Sequence, residues 1–135
     1  MNKRMIFIML TMMLAVACTK KDEASFTNSL TFGTGVNASN FTLTGTSNSF
    51  QSGTTIYFRL ESESDMAGST VKISFINNST GVETFYERPA TQDYGHIMIS
   101  NFNGLNAGTY TATGILVTGN KIVANALITI IPASL

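Results

Sequence analysis

Apolar and polar residues alternate through most of the chain after residue 40. In TTIYFRLES, Ile56, Phe58 and Leu60 fall on one face, and the intervening residues fall on the other. The segment TVKISFI (70–76) repeats this pattern, and we expect Ser74 on its outward face. Alternation with a period of two predicts β-strands that bury one face against a core.

Further segments of the same character follow, separated by residues that favour turns. They are FTLTGTSNSF (41–50), VETFYE (82–87), HIMISNF (96–102), TYTATGILVTG (109–119) and KIVANALITII (121–131). Between the last two, Gly119 and Asn120 predict a tight hairpin in which they supply positive φ angles. No segment has the period of an amphipathic helix. About seven short strands predict an all-β, antiparallel two-sheet sandwich.

The first seventeen residues differ from the rest of the chain. A short basic segment, residues 2–4, precedes an apolar run from Met5 to Ala17 that only Thr11 interrupts. As a helix this run is roughly 20 Å long, too short for the ~30 Å hydrocarbon core of a bilayer. A basic start, a short apolar run and small residues at its end indicate a signal peptide over residues 1–17.

The sequence LAVAC (14–18) resembles the lipobox of bacterial lipoproteins, in which a small residue precedes a cysteine. The resemblance implies that Cys18 carries a diacylglyceryl group on sulfur, that the leader is cleaved before it, and that its new amino group is acylated. It also favours the outer membrane under the retention rule of enterobacteria, because the residue after the cysteine is Thr19 and not the aspartate associated with inner-membrane retention. Two alternatives stay open, an ordinary secretory signal with a stray cysteine and an uncleaved membrane anchor.

The mature chain is expected to have two parts. Residues 18–30 are polar, charged and without periodicity, which predicts a lipidated N-terminus followed by a flexible tether. Residues 31–135 form the β-domain. Two or more acyl chains give stable anchoring, so the lipid on Cys18 requires no further membrane contact, and we expect no cofactor besides this covalent lipid.

The segment LNAGTYTA (105–112) resembles the L-x-x-G-x-Y-x-A approach to the penultimate strand of immunoglobulin-like and fibronectin-like domains. In those domains the tyrosine caps a corner by bonding upstream backbone, and the residue two positions later faces the core. The resemblance implies an Ig-like sandwich without the Cys and Trp of antibody domains. The structural residues that it implies are Leu105, Gly108, Tyr110 and Ala112.

The net charge of the chain after Cys18 limits the classes of partner that the protein can attract. From Cys18 onward there are six Lys/Arg and eight Asp/Glu, a net charge of −2. Nucleic acid requires a basic face, and attraction to anionic lipid requires a polybasic segment; this balance favours neither. Five of the seven methionines lie in the leader, so the mature domain is not methionine-rich.

Glu61, Glu63 and Asp65 occur at alternate positions and are weak candidates for a metal site. Calcium takes six to eight oxygen ligands, but alternate residues of a strand lie roughly 6.6 Å apart. The spacing of a calcium loop is also missing. We expect these carboxylates on a solvated face, with a calcium-stabilised module as the alternative.

His96 is the only histidine and Cys18 the only cysteine. A zinc site of ordinary type needs more such ligands, and a Gly-x-Ser-x-Gly nucleophile elbow is missing from the sequence. We therefore expect His96 at the surface and a protein that is not an enzyme.

The segment TFYERPATQDYGH contains four candidate binding residues, Phe85, Tyr86, Arg88 and Tyr94. Exposed aromatic side chains on a rigid sandwich can stack on sugar rings or anchor a protein partner. The alternative is that one or two of them complete the core.

These observations predict a lipid-anchored cell-envelope protein that acts as a non-catalytic binding or structural module. Its partner would be an envelope protein or a glycan rather than nucleic acid. The alternatives are a carbohydrate- or peptide-binding adhesin and the calcium-stabilised module.

Overall fold

The computed structural model describes residues 25–89 and 95–134, so Cys18 and Tyr94 lie outside the described residues. The described chain forms ten β-strands and one turn of 3-10 helix, Thr118–Asn120. The strands are β1 Ser29–Gly33, β2 Gly35–Asn37, β3 Thr42–Thr44, β4 Ser49–Gln51, β5 Ile56–Glu61, β6 Thr70–Asn77, β7 Glu83–Pro89, β8 Ile97–Phe102, β9 Gly108–Leu116 and β10 Lys121–Ile131. Over residues 25–89 and 95–134, we find no helix of the length and apolarity needed to cross a membrane.

The strands form three sheets. A three-stranded antiparallel sheet has the order β1-β5-β8, and a five-stranded sheet has the order β4-β10-β9-β6-β7. In the larger sheet β4 pairs with β10 in parallel, whereas the other neighbours are antiparallel. The short strands β2 and β3 form a separate antiparallel hairpin.

The core lies between the two larger sheets. Measured between ring centroids, Phe75 of β6 lies 6.2 Å from Phe32 of β1 and 4.6 Å from Phe102 of β8. Phe58 and Leu60 of β5 are buried in the same cluster. Two sheets that share one apolar layer are consistent with a β-sandwich. The all-β prediction is therefore confirmed.

The alternation predicted in β5 is confirmed, because Ile56, Phe58 and Leu60 are buried and the residues between them are partly exposed. Ser74 of β6 lies on the outward face, as expected, although only 3% of it is exposed. Its hydroxyl donates a 2.6 Å hydrogen bond to the Glu83 carboxylate on the neighbouring strand, which covers this part of the outer face.

The structure contains ten strands among its described residues, where the sequence predicts about seven. The segment 41–50, predicted as one strand, divides into β3 and β4 because the chain turns at Gly45, whose φ is 60°. Strand β1 begins at Ser29, inside the segment predicted as tether, and buries Leu30 and Phe32. Two alternate apolar residues are too short a run to show a period.

The turn between β9 and β10 is confirmed. Gly119 has a φ of 78° and Asn120 a φ of 49°, and the Asn120 amide donates to the Val117 carbonyl at 3.1 Å. Glycine and asparagine tolerate this left-handed conformation better than other residues do.

A tyrosine closes the corner before β9. The Tyr110 hydroxyl donates to the Asn106 carbonyl at 2.8 Å, and 4% of the residue is exposed. Leu105 and Ala112 are buried. A Cβ at Gly108 would lie 3.0 Å from the Asn77 side-chain nitrogen, so a larger residue would crowd this corner. Leu105, Tyr110 and Ala112 therefore anchor the segment 105–112 to the core.

Candidate binding surface

The aromatic candidates of β7 point to opposite faces of the sheet. Phe85 lies opposite Ser74 on the outer face and is 51% exposed. Tyr86 points inward and lies 5.4 Å from Phe102 and 6.0 Å from Phe75, between ring centroids. The structure therefore does not bring Phe85 and Tyr86 together in one patch.

Tyr86 connects β7 to the chain that follows β8. Its hydroxyl donates to the Asn103 carbonyl at 2.7 Å. Burial raises the pKa of the Tyr86 phenol above its ordinary value, and the positive charge of Arg88 opposes this shift. With its ring packed and its hydroxyl engaged, Tyr86 contributes to packing.

Phe85 lies in a small polar network on the outer face. The Lys72 ammonium stands 4.4 Å from the centroid of the Phe85 ring and 3.4 Å from the Glu83 carboxylate. The hydrogen bond from Ser74 and then that from Lys72 hold the pKa of Glu83 below its ordinary value. Phe85 is an exposed aromatic side chain of this face. Arg88 lies on the other face of β7, that of Tyr86, and donates to the Glu87 carbonyl at 2.9 Å.

The carboxylates of two acidic candidates, Glu61 and Asp65, have separate partners, whereas Glu63 bonds through its backbone amide. Glu61 accepts from the Arg59 guanidinium at 2.7 Å. Asp65 accepts from the Ala67 amide at 2.8 Å, and the Glu63 amide donates to the Asn28 side chain. Within the described residues, no group of three or more His, Cys, Asp or Glu side chains is arranged to hold a metal ion.

His96 is partly buried rather than a simple surface residue. Its ring stacks on Phe26, with centroids 4.2 Å apart and planes within 7°. Its Nδ1 lies 2.9 Å from the Ser62 carbonyl oxygen. These contacts fix the segment before β1 against the start of β8.

An apolar groove, which the sequence analysis missed, lies on the outer face of the three-stranded sheet. The β2–β3 hairpin forms one wall with Val36, Ala38 and Phe41, and β5 and β8 form the floor and the opposite wall. The other lining residues are Tyr57, Ile97, Ile99, Ser100 and Asn101. The groove has a volume of about 310 Å³, at the lower end of the range for ligand sites.

The hairpin is held over this face by a close backbone approach. The Thr34 amide donates to the Thr44 carbonyl at 3.0 Å. A Cβ at Gly33 would lie 2.5 Å from that same Thr44 oxygen. Only glycine permits this contact, so Gly33 sets the position of the groove wall.

Phe41 is the most unusual residue of the groove. It is 60% exposed and has a φ of 54°, a conformation that is an outlier for a bulky side chain. Its carbonyl accepts a 2.9 Å hydrogen bond from Arg59 Nε, and the preceding turn is fixed because Asn37 accepts from the Ser39 hydroxyl at 2.6 Å. Such strain concentrates at ligand contacts and switch regions, so Phe41 is a candidate binding residue.

One ion pair connects the groove to the N-terminal segment. Arg59 donates to the Phe41 carbonyl and to Glu61 Oε2, and Glu61 Oε1 accepts from the Thr27 amide at 3.0 Å. The hydrogen bond from Arg59, followed by that from Thr27, holds the pKa of the Glu61 carboxyl below its usual range. The turn before β3 and the start of the described chain therefore meet on one face.

The groove lining comes from residues 36–41, 57 and 97–101, which are remote in sequence. One feature of the sequence could have pointed to this groove, namely a phenylalanine directly after the polar turn NASN (37–40). Comparison with known proteins gives no match for this chain, either among protein-family models or among curated proteins.

Proposed function

We propose that this protein is a lipid-anchored component of the bacterial cell envelope, and that its β-domain is a non-catalytic binding module. The sequence LAVAC with a preceding short apolar leader supports lipid attachment at Cys18. An outer-membrane location follows from Thr19 after the cysteine, under the retention rule of enterobacteria.

We also propose that the β-domain is an immunoglobulin-like sandwich. In such domains a tyrosine near the start of the penultimate strand bonds backbone a few residues upstream. The 2.8 Å bond from Tyr110 to the Asn106 carbonyl, at the start of β9, supports this assignment. The division into β1-β5-β8 and a sheet built around β10-β9-β6 supports it further.

The observation that carries the binding role is Phe41, which combines a 60% exposed ring with a φ of 54° in the wall of an apolar groove. Holding an apolar side chain in a strained conformation where it reaches solvent has a free-energy cost, and a bound partner would offset it. We therefore assign the binding surface to the groove between the β2–β3 hairpin and β8.

A photo-crosslinking amino acid at position 41, in the full chain expressed in its envelope, tests this surface. The matched control is position 82, because Val82 is 61% exposed and lies in the β6–β7 loop of the other sheet. We expect a crosslinked product from position 41 that position 82 does not give. Equal crosslinking at both positions would contradict the assignment.

Anchoring is tested independently with Cys18→Ser and, as control, Thr19→Ser. We expect Cys18→Ser to lose metabolic fatty-acid labelling and to leave the membrane fraction, whereas Thr19→Ser keeps both. Retention of the label in Cys18→Ser would remove the lipoprotein proposal.

A second candidate function is a carbohydrate- or peptide-binding adhesin that uses Phe85. It is favoured by the 51% exposure of this ring beside the Lys72 ammonium, since aromatic and cationic groups recur in binding hot spots. Binding on a glycan or peptide array that Phe85→Ala abolishes and Val82→Ala retains would support it. Unchanged binding in Phe85→Ala would exclude it.

A further inference from the structure

We propose that the partner of the Phe41 groove is the lipid surface in which Cys18 is anchored, so that the domain rests on the membrane with the outer face of its three-stranded sheet. This inference rests on the proposed lipid anchor. It names the partner of the same groove, and it assigns the membrane contact to the described residues Val36, Phe41, Tyr57, Ile97 and Ile99.

The N-terminal segment meets the fold on the outer face of the three-stranded sheet. The Thr27 amide bonds Glu61 on the outer face of β5, and the Phe26 ring stacks on His96, directly before the groove residue Ile97. Glu61 in turn pairs with Arg59, which holds the Phe41 carbonyl. The chain from the anchor therefore reaches the domain on the face that carries the groove.

The chain between the anchor and the fold is short. Eight peptide steps separate Cys18 from Phe26, and a fully extended chain of this length spans at most about 29 Å. A compact domain of this size has a radius of gyration of ~13 Å and hence a diameter of roughly 34 Å. The tether therefore keeps Phe26, and the face beside it, within about 29 Å of the anchor, which is less than the diameter of the domain.

The outer face of β5 and β8 carries one pair of opposite charges. The register of β5 and β8 places Tyr57, Arg59, Ile97 and Ile99 on this outer face together with Glu61. Arg59 and Glu61 neutralise each other, and their side chains are 19% and 16% exposed. Lys72, Glu83, Glu87 and Arg88 belong to the other sheet, whereas Glu63 follows β5 and its amide bonds the Asn28 side chain beside this face. The residues that line the groove are uncharged, so the groove approaches lipid without removing an unpaired charge of its own from water, which is a costly step.

The turn before Phe41 and the adjoining groove have the composition of a surface that meets uncharged lipid. The turn before Phe41 consists of uncharged residues, Asn37 to Asn40, and the Phe41 and Tyr57 rings line the adjoining groove. Tyrosine, whose ring has a polar end, is favoured at membrane interfaces, and a phenylalanine ring beside it suits the acyl boundary. Because the described residues place no basic cluster on this face, we expect its contact to be with uncharged lipid and to be insensitive to salt.

The test uses the full lipidated chain, purified from membranes and reconstituted in phosphatidylcholine vesicles with brominated acyl chains. The protein contains no tryptophan, so Phe41→Trp and the control Val82→Trp each report from a single position. Insertion by ~5–10 Å would bring the ring of Phe41→Trp to the acyl boundary, and we expect it to lose roughly half of its emission. Val82→Trp should be unaffected, and circular dichroism should match the wild type for both variants.

Each other outcome contradicts the proposal in a different way. If both variants sediment with the vesicles and Phe41→Trp is quenched no more than Val82→Trp, the membrane-facing surface is wrong and the lipid anchor stands. If Phe41→Trp is shielded from aqueous iodide but not quenched by brominated lipid, a second copy of the chain covers the groove. If neither variant sediments with vesicles, the anchor itself fails, and this inference fails with it.

Discussion

Arg59 and Glu61, two residues apart on β5, form an ion pair with 2.7 Å between Nη1 and Oε2. Through this pair the Phe41 carbonyl is connected to the Thr27 amide, although 14 residues separate them in sequence. Side chains two apart on a strand share a face, and here it is the partly exposed face of β5, opposite the buried Phe58 and Leu60. The strained turn of the groove and the start of the fold are thus held by one polar cluster.

The pH dependence of stability should report this cluster. The pKa of Glu61 is lowered in the folded protein from its ordinary value near 4.5, so its contribution is complete above that value and is lost as pH falls through the lower folded pKa. Glu61→Gln should therefore reduce the melting temperature at pH 6, and the difference from wild type should shrink below pH ~4.5. Thermal melts across pH measure this, and a constant difference would contradict it.

Phe41 should lower the stability of the domain while it contributes to binding the partner. Asparagine tolerates the left-handed conformation, which costs other residues roughly 1–2 kcal/mol. We expect Phe41→Asn to raise the free energy of unfolding by about 1 kcal/mol while weakening contact with the partner. Phe41→Ala keeps the strain and loses the ring, so it should not be stabilised. Urea denaturation compares them, and stabilisation by alanine to the same extent would contradict the strain argument.

Two phenylalanines on neighbouring strands of one sheet should differ strongly in their effect on stability. Phe75 is fully buried and contacts aromatic rings of the opposite sheet, so Phe75→Ala should cost about 3–5 kcal/mol. Phe85 is 51% exposed, and Phe85→Ala should change the free energy of unfolding by about 0.5 kcal/mol or less. Similar losses in calorimetry would mean that the core is not where the structure places it.

The tyrosine at the corner before β9 should contribute through its hydroxyl. Tyr110→Phe leaves the Asn106 carbonyl without its 2.8 Å donor, and the loss should be about 1–2 kcal/mol. Tyr57→Phe, on the half-exposed groove tyrosine, should cost less. Chemical denaturation of both variants tests this, and the reverse order would contradict the role of the corner.

Much of the sandwich follows from the sequence, because its long strands bury one face and alternate visibly. In β5 the buried residues Ile56, Phe58 and Leu60 show this period directly. Strand β1 and the hairpin of β2 and β3 do not, since three to five residues carry too few alternations.

The groove was beyond prediction for a different reason. Its walls come from residues 36–41, 57 and 97–101, and only the folded chain brings them together. A positive φ is also not expected at phenylalanine, so the exposed position of Phe41 could not be inferred. Tyr86, by contrast, agrees with the alternative stated from the sequence, that one or two of these aromatic residues complete the core, and its neighbour Phe85 points to the opposite face.

The central claim is that Cys18 attaches this domain to a membrane, and mass spectrometry of the protein isolated from envelopes tests it most directly. The account predicts an N-terminal peptide that begins at Cys18, lacks residues 1–17 and carries the added mass of a diacylglyceryl group and an N-linked acyl chain. An N-terminal peptide that begins elsewhere, with a free thiol at Cys18, would contradict it.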